Sequence, residues 1–140
     1  DEEDPATDDL EPVVGALGRT AVMLACRSHD ASMLAALLKQ PLARATVVAG
    51  MQDLNGDTAA HVCAKYGTAA MVKAVVEVTP ARKLALLNLD GYTPLMAACR
   101  YGSSDAVAHV AGKLGELDEG LRGTVLGYAS PDGETALQLC

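Results

Sequence analysis

A short pattern occurs four times along this chain and constrains its fold more than any other feature of the sequence. Each copy begins with glycine, one variable residue and threonine, and continues into a short apolar block that contains a cysteine. The copies read GRTAVMLAC, GDTAAHVCA, GYTPLMAAC and GETALQLC, and their glycines are 38, 35 and 42 residues apart. Repetition at a period of about 20–50 residues is typical of architectures in which each unit packs only against its neighbours.

A second apolar segment follows each of the first three copies. These segments are RSHDASMLAALLKQ, KYGTAAMVKAVVEV and RYGSSDAVAHVAGKL, and their apolar residues recur at helical spacing. Each unit is therefore predicted to be a turn followed by two short antiparallel helices. Gly67 and Gly102 are expected to end the first helix of their unit in the left-handed conformation. Ser32 and Ser104 are expected to be the N-caps of second helices.

The third copy carries the most specific match to a known family. The stretch DGYTPLMAACRYG, at residues 90–102, resembles the ankyrin-repeat pattern D-G-x-T-P-L-H-x-A-A-x-x-G, with Met96 where the family usually has histidine. The stretch NGDTAAHVCAKYG keeps this histidine as His61 but has Ala59 in place of the proline. GRTAVMLACRSH is a weaker match, with His29 at the glycine position between the helices. Four matches in register make the chain similar to ankyrin-repeat proteins over about residues 13–140.

The resemblance implies an all-α fold, an ankyrin-repeat solenoid in which helix-turn-helix units stack and β-hairpin-like loops join them. It predicts three full repeats plus the start of a fourth. The approximate units are residues 13–50, 51–86 and 87–128, with a partial unit at 129–140. Because PDGETALQLC stops inside the first helix of the fourth unit, we expect the parent protein to continue beyond Cys140.

The segments after the second helices are longer than the connections usual in the family. Each contains apolar residues, which predict an extra helical turn that packs under the next loop. The apolar residues concerned are Val47, Val48, Leu84, Leu86, Leu87, Leu121, Val125 and Leu126. Surface insertions cost little in loop-closure entropy, so the stack is expected to accommodate them.

The acidic charge of the chain is concentrated at its start. Residues 1–12, DEEDPATDDLEP, contain seven acids and no base, whereas the remaining residues contain eleven acids against eleven lysines and arginines. A segment so acidic and so poor in apolar residues is predicted to be a disordered tail. A neutral body behind an acidic tail argues against a nucleic-acid partner. No apolar run approaches the roughly 18 residues of a membrane span, so we expect no membrane partner.

Each copy of the pattern places one cysteine in its first helix, at Cys26, Cys63, Cys99 and Cys140. The ankyrin pattern has small residues at these positions, and a buried cysteine behaves as a small apolar residue. Equivalent positions in successive repeats are about 10 Å apart, whereas a disulfide needs Cα atoms within about 7 Å. We therefore predict four free thiols. Reducing compartments keep thiols free, so an intracellular location, cytoplasmic or nuclear, is expected.

Few residues of the chain could carry chemistry. Cysteine and histidine are close neighbours in Cys26-x-x-His29 and His61-x-Cys63, which do not supply the four ligands of a structural zinc site. The sequence has no phosphate-binding loop, dinucleotide-binding glycine motif or G-x-S-x-G nucleophile motif. We predict no catalytic residue, no metal and no cofactor, and hence no enzymatic activity in this chain. The resemblance implies that His61 is structural, in a hydrogen-bond network with threonine between adjacent repeats.

The resemblance also implies a concave face, lined by the loop tips and the ends of the first helices. The residues predicted to bind a partner are Leu54, Asn55, Asp57, Leu89, Asp90 and Tyr92 at the tips, and Arg27, Lys65, Tyr66, Arg100 and Tyr101 at the helix ends. Tyrosine and arginine are enriched in binding hot spots, although a base beside a tyrosine is also an ordinary solvated helix end. The predicted function is a non-catalytic protein–protein interaction module. The alternative is a recruiting or regulatory segment of a larger enzyme whose catalytic part lies outside this chain.

Three of these residues, Arg27, Lys65 and Arg100, occupy one equivalent position in successive repeats. They are predicted to form a basic ladder about 20 Å long, which favours a partner protein with an acidic segment, extended or helical. The acidic tail of the chain itself is a candidate competitor for this ladder. We expect a monomer, unless the open fourth repeat pairs with another copy of the chain.

Overall fold

The computed structural model describes residues 19–129, 132–135 and 138. The α-helices of this part are α1 (Ala21–Arg27), α2 (Ala31–Leu38), α3 (Pro41–Val48), α4 (Ala59–Tyr66), α5 (Ala69–Val78), α6 (Pro94–Tyr101), α7 (Ser104–Leu114) and α8 (Glu119–Leu126). A 3-10 helix, Ala81–Ala85, lies between α5 and α6. Ala129 and Thr135 form an isolated antiparallel β-bridge. The all-α fold predicted from the sequence is confirmed.

Three predicted features lie outside the described residues. They are the acidic tail at residues 1–12, the first motif glycine Gly18, and Cys140 at the end of the fourth copy. The repeat boundaries remain predictions as well.

Threonine begins the first helix of each complete repeat. Thr20, Thr58 and Thr93 are the N-caps of α1, α4 and α6, where each hydroxyl oxygen accepts a hydrogen bond from the backbone N–H three residues later. This bond satisfies one of the N–H groups that a helix leaves unpaired at its start. The repeated glycine-x-threonine pattern is therefore a helix-start signal.

The second helices α2 and α7 begin at residues other than the predicted ones. Asp30 and Ser103 are their N-caps, so the prediction of Ser32 and Ser104 is wrong. The Asp30 carboxylate accepts a backbone N–H at 2.9 Å, and the Ser103 hydroxyl accepts one at 3.2 Å. In both helices the capping residue is the one immediately before the first helical residue, and its side-chain oxygen accepts the backbone N–H three residues later.

The glycines between paired helices are needed for a different reason from the predicted one. Gly67 and Gly102 have φ of −90° and −98°, so the predicted left-handed conformation is wrong. A Cβ on Gly67 would lie 2.9 Å from the carbonyl oxygen of Cys63, and one on Gly102 would lie 2.8 Å from that of Ala98. A side chain does not fit because the backbone passes close to the helix it has just left. In the first repeat His29 holds this position and is left-handed, with φ 57°.

The loop before each first helix forms a tight turn, which we call a finger. In the second and third repeats the side-chain oxygen of Asp53 or Asn88 accepts two backbone N–H groups of the same turn. The turn glycines Gly56 and Gly91 have φ of 78° and 79°, in the region that favours glycine. The fingers therefore reverse the chain by side-chain and turn hydrogen bonds, without a regular strand in the described part of the chain.

The paired helices form two layers. α1 packs on α4 and α4 on α6 in one layer, while α2 packs on α5 and α5 on α7 in the other. The buried alanines of α4 and α6 are Ala59, Ala60, Ala64, Ala97 and Ala98. Small side chains allow helices of neighbouring repeats to pack closely, and the stack places successive fingers and helix ends side by side.

The long connections between repeats are helical, as predicted. They form α3, the 3-10 helix and α8, and each contributes one fully buried apolar residue, namely Val47, Leu84 or Val125. The other apolar residues predicted to pack there are exposed or only half-buried, and they are Val48, Leu86, Leu87, Leu121 and Leu126. Each insertion therefore packs on the core through one buried apolar side chain, and in α3 Thr46 is buried beside it.

Candidate functional site

The predicted binding residues lie on the fingers, at residues 53–57 and 88–92, and at the C-terminal ends of α1, α4 and α6. We call this surface the finger face. A cavity of about 270 Å³ is lined by residues of both a finger and the helix ends, so these parts face the same side. Its lining residues are Lys65, Asp90, Tyr92, Arg100, Tyr101 and Asp132. Asp132, from the fourth copy of the pattern, was not predicted.

Exposure divides the eleven predicted binding residues into two groups. The exposed residues are Arg27, Leu54, Asn55, Tyr66, Leu89, Asp90, Arg100 and Tyr101. Asp57 and Tyr92 are buried, and Lys65 is half-buried. These three side chains make contacts within the protein, so their first role is to shape the finger face.

Two leucines protrude from the finger tips. Leu54 and Leu89 are 67% and 77% exposed. The N–H of Leu89 donates to the carbonyl oxygen of Asn55 at 2.9 Å, which fastens the third finger to the second. The leucines are thus held at fixed positions in solvent, where apolar side chains are suited to contact with another protein.

Asp57 and Lys65 form an ion pair instead of presenting separate charges. Lys65 Nζ lies 3.3 and 3.2 Å from the two carboxylate oxygens of Asp57, and Asn88 Nδ2 donates to Asp57 Oδ1 at 2.9 Å. The exposed fraction is 16% for the Lys65 side chain and 6% for that of Asp57. Because Asn88 belongs to the next repeat, Asp57 also joins the second repeat to the third.

Arg27 lies over the ring of Tyr66. Its guanidinium carbon is 4.5 Å from the ring centroid, within the range of a cation–π contact. Arg27 ends α1 and Tyr66 ends α4, so the contact crosses from the first repeat to the second. The ring orients the guanidinium and leaves its charge uncompensated.

Arg100 is held by two tyrosines. Its Nη1 donates to Tyr92 Oη at 3.0 Å, and its guanidinium carbon lies 5.9 Å from the ring centroid of Tyr92 and 5.6 Å from that of Tyr101. The charge interaction with Tyr92, followed by that with Tyr101, raises the pKa of Arg100 above its usual high value. Arg100 is therefore an exposed and permanently charged group with a restricted orientation.

His61 connects the second and third repeats beneath the finger face. Its Nδ1 lies 3.0 Å from the backbone nitrogen of Thr58, and its Nε2 lies 2.8 Å from the carbonyl oxygen of Tyr92. Since a backbone N–H can only donate, Nδ1 is the acceptor, and the ring proton on Nε2 donates to Tyr92. Burial is the main cause that lowers the pKa of His61. The residue is neutral and structural, as the resemblance implied.

The cysteines differ from the prediction at one position. Cys26 and Cys63 are free and fully buried, and a hydrogen bond with the Cys26 side chain, followed by burial, raises the pKa of the Cys63 thiol. Cys99 is disulfide-bonded, so the prediction of four free thiols is wrong. The argument from repeat spacing applies only between the first helices of complete repeats. Cys99 therefore gives no support to an intracellular location.

The pairing between finger and helix end was missed by the sequence reasoning. Lys65 and Arg100 each bond to the residue eight positions earlier, which is Asp57 or Tyr92. The residue directly before the motif threonine thus sets the environment of the base at the helix end. Alignment of the copies gives this signal, because Asp57 and Tyr92 occupy the same position.

The described residues contain no group of three or more histidine, cysteine, aspartate or glutamate side chains placed to hold a metal ion. No helix among them is long and apolar enough to cross a membrane.

A comparison with protein-family models identifies the family of the repeats. A family model described as Ankyrin repeats (3 copies) matches residues 42–118, which is more than half of the chain. α1 and α2 precede the matched residues. They nevertheless continue the same stack, because α1 packs on α4 in the way that α4 packs on α6. A search of curated proteins found no match.

Proposed function

Since this chain belongs to the ankyrin-repeat family, we propose that it binds another protein through the finger face. Ankyrin repeats are generally protein–protein interaction modules. The observation that carries the proposal is the exposure of Leu54, Tyr66, Leu89 and Tyr101, at 67%, 39%, 77% and 55%. Tyrosine is enriched in binding hot spots, and grouped exposed apolar side chains mark interaction surfaces. The proposed role is non-catalytic.

The alternative role, a recruiting or regulatory segment of a larger enzyme, would use the same surface. The complete reading frame that encodes this chain distinguishes the two roles, because an enzyme would show its catalytic signature there. An intracellular location remains a prediction, and fractionation of cells that express the protein would test it.

Selection of short peptides against the full chain tests the finger face. Random peptides are displayed and selected, and the affinity of each binder is measured by fluorescence anisotropy. Tyr101→Ala and Leu89→Ser are each expected to weaken binding by about fivefold or more, as truncation of a hot-spot residue does.

Leu42→Ser is the matched control for this test. Leu42 is also an exposed leucine, at 54%, but it lies on α3, outside the finger face. Its substitution is expected to leave the affinities unchanged. Binders that are insensitive to both finger-face substitutions would contradict the proposed function.

A further inference from the structure

The three bases of the predicted ladder have unequal surroundings. The difference comes from the residue before the motif threonine, which is Arg19 in the first repeat, Asp57 in the second and Tyr92 in the third. The position before the motif threonine thus has a base in the first repeat, an acid in the second and a phenol in the third. Each of them lies eight positions before the base at the end of its first helix.

The middle base is compensated. Lys65 pairs with Asp57 at 3.2 Å, and both side chains are largely buried. A partner carboxylate opposite Lys65 would share it with Asp57 and would approach the negative charge of Asp57 at the same time. This position therefore offers no net attraction to an acid.

The base of the third repeat is uncompensated. Tyr92 has a hydroxyl where the second repeat has a carboxylate, so its hydrogen bond to Arg100 brings no carboxylate charge to the guanidinium. Among the described residues, no carboxylate forms an ion pair with Arg100. A guanidinium presents five N–H donors in one plane, and the contacts with Tyr92 and Tyr101 fix the direction of those that remain.

The base of the first repeat is uncompensated as well. Arg27 is exposed over the ring of Tyr66, and in the described part of the chain no carboxylate pairs with it. Where the second repeat has an acid, this repeat has a second base, Arg19, whose Nε is buried without a hydrogen-bond partner among the described residues. The finger face therefore has two separate cationic positions, one at each side of a neutral pair.

Acidic residues beside Arg100 restrict what can bind there. Asp90 and Asp132 line the same cavity, and they would repel a continuous run of acids because like charges at close range are destabilising. A single carboxylate that approaches the open edge of the guanidinium avoids most of this repulsion. The face thus fits separated acids better than a dense acidic stretch.

We propose that the partner presents an extended segment with two acidic residues about six positions apart, one bound by Arg27 and the other by Arg100. Two repeat spacings are about 20 Å, and an extended chain rises about 3.3 Å per residue. The residues between the two acids lie opposite the Asp57–Lys65 pair and are neutral. The inference rests on the proposed function, because it names the chemistry of the segment that the finger face binds.

Peptides of identical composition test the spacing. Each fluorescein-labelled peptide contains two glutamates in one neutral background, separated by roughly three, six or nine positions, which corresponds to about 10, 20 or 30 Å in an extended chain. Affinity for the full chain is measured by fluorescence anisotropy at low salt. The peptide with the middle spacing is expected to bind about fivefold more tightly than the other two, the upper range for one additional exposed ion pair.

Substitutions in the protein test the two positions. Arg27→Gln and Arg100→Gln are each expected to weaken binding of the best peptide by about fivefold and to abolish the spacing preference. The double variant Asp57→Asn with Lys65→Gln removes the middle pair without changing the net charge and so distinguishes two-point binding from a three-base ladder. Its affinity is expected to stay within about twofold of the wild type, because a compensated pair attracts no acid. Circular dichroism verifies the fold of each variant, and Arg100→Met, which also removes the charge, replaces Arg100→Gln if the latter does not fold.

Two results would overturn the inference. Equal affinity for all three spacings would reject two-point binding, and a loss in the double variant as large as that in Arg100→Gln would favour the three-base ladder. The inference and the proposed function can fail independently of each other. If Tyr101→Ala abolishes binding of all peptides while their spacing has no effect, the finger face is the binding site and only the two-acid inference is rejected.

Discussion

His61 shows at the scale of a single residue how the repeats differ in chemistry. Met23 and Met96 occupy its position in the first and third repeats and are equally buried. The Met23 sulfur accepts the N–H of Thr20 at 3.5 Å, as His61 Nδ1 accepts that of Thr58. Methionine can therefore act as the acceptor but cannot donate to the carbonyl of the next repeat. Because this protein already has methionine at the position in two repeats, methionine is a suitable substitution for His61.

The variant His61→Met is expected to make unfolding less dependent on pH. Burial lowers the pKa of His61 from 6.5, so the unfolded chain binds a proton at a pH where the folded protein does not. The stability that depends on neutral His61 is complete above pH 6.5 and is lost as the pH falls toward the lower folded pKa. Removal of the bond to Tyr92 is expected to cost about 1 kcal/mol at pH 7.

Urea unfolding of the wild type and His61→Met, followed by circular dichroism at pH 7 and pH 5.5, measures this effect. The wild type is expected to lose more stability on acidification than the variant. His29→Gln is the control, since His29 is exposed. Equal losses in the wild type and His61→Met would show that His61 does not titrate as the structure requires.

Cys26 and Cys63 are expected to react slowly with a thiol reagent in the folded protein. Both are fully buried, and the raised pKa of the Cys63 thiol leaves less of the reactive thiolate. Denaturation without reductant should expose both to rapid modification, while Cys99 should react only after reduction. Mass spectrometry of the modified peptides identifies each position. Rapid labelling of Cys26 or Cys63 in the native state would be inconsistent with this packing.

At the scale of the structural element, the close packing of one finger on the next depends on a glycine. A Cβ on Gly56 would lie 2.7 Å from the backbone nitrogen of Leu89 and 2.9 Å from Cα of Asn88. With φ at 78°, Gly56→Ala adds backbone strain to this clash. The substitution is expected to lower the free energy of unfolding by about 2 kcal/mol or more.

Gly112→Ala is the matched control for this prediction. Gly112 lies inside α7, and a Cβ there would meet no atom within 4 Å. Alanine is expected to raise the free energy of unfolding by about 0.5–1 kcal/mol, because glycine weakens a helix interior. Urea unfolding of both variants provides the comparison. Destabilisation by Gly112→Ala as large as that by Gly56→Ala would remove the finger contact as the explanation.

At the scale of the whole molecule, the two helix layers run through all three complete repeats, so neighbouring repeats share their stability. Leu84→Ala removes the buried side chain of one connection and is expected to cost about 2–5 kcal/mol. Leu87→Ala is the control, because Leu87 is 43% exposed, and it is expected to change stability by less than about 0.5 kcal/mol.

Hydrogen exchange measures how far the effect of Leu84→Ala extends. Cooperative unfolding predicts that amides in α1 and α7 lose protection together, because the loss of one connection destabilises the whole stack. Loss of protection confined to the 3-10 helix and α6, with α1 unchanged, would show that the repeats unfold independently.

Much of the fold and part of the site follow from the sequence alone. Threonine caps and turn glycines are local signals, since they act through backbone groups a few residues away, and the repetition of these signals fixes the helical stack. The same repetition places Leu54, Leu89 and Tyr101 on the finger face, where the structure finds them exposed. These features needed no knowledge of how one repeat contacts the next.

Only the tertiary structure decided which charges of the finger face remain available. Lys65 and Arg100 look equivalent in the aligned repeats, yet the first pairs with the carboxylate of Asp57 and the second bonds to the hydroxyl of Tyr92. Gly67 is likewise required by a contact with Cys63 and not by its own conformation. Such contacts join a finger to a helix end, or a turn to the helix before it, at distances set by packing. Sequence spacing does not specify those distances.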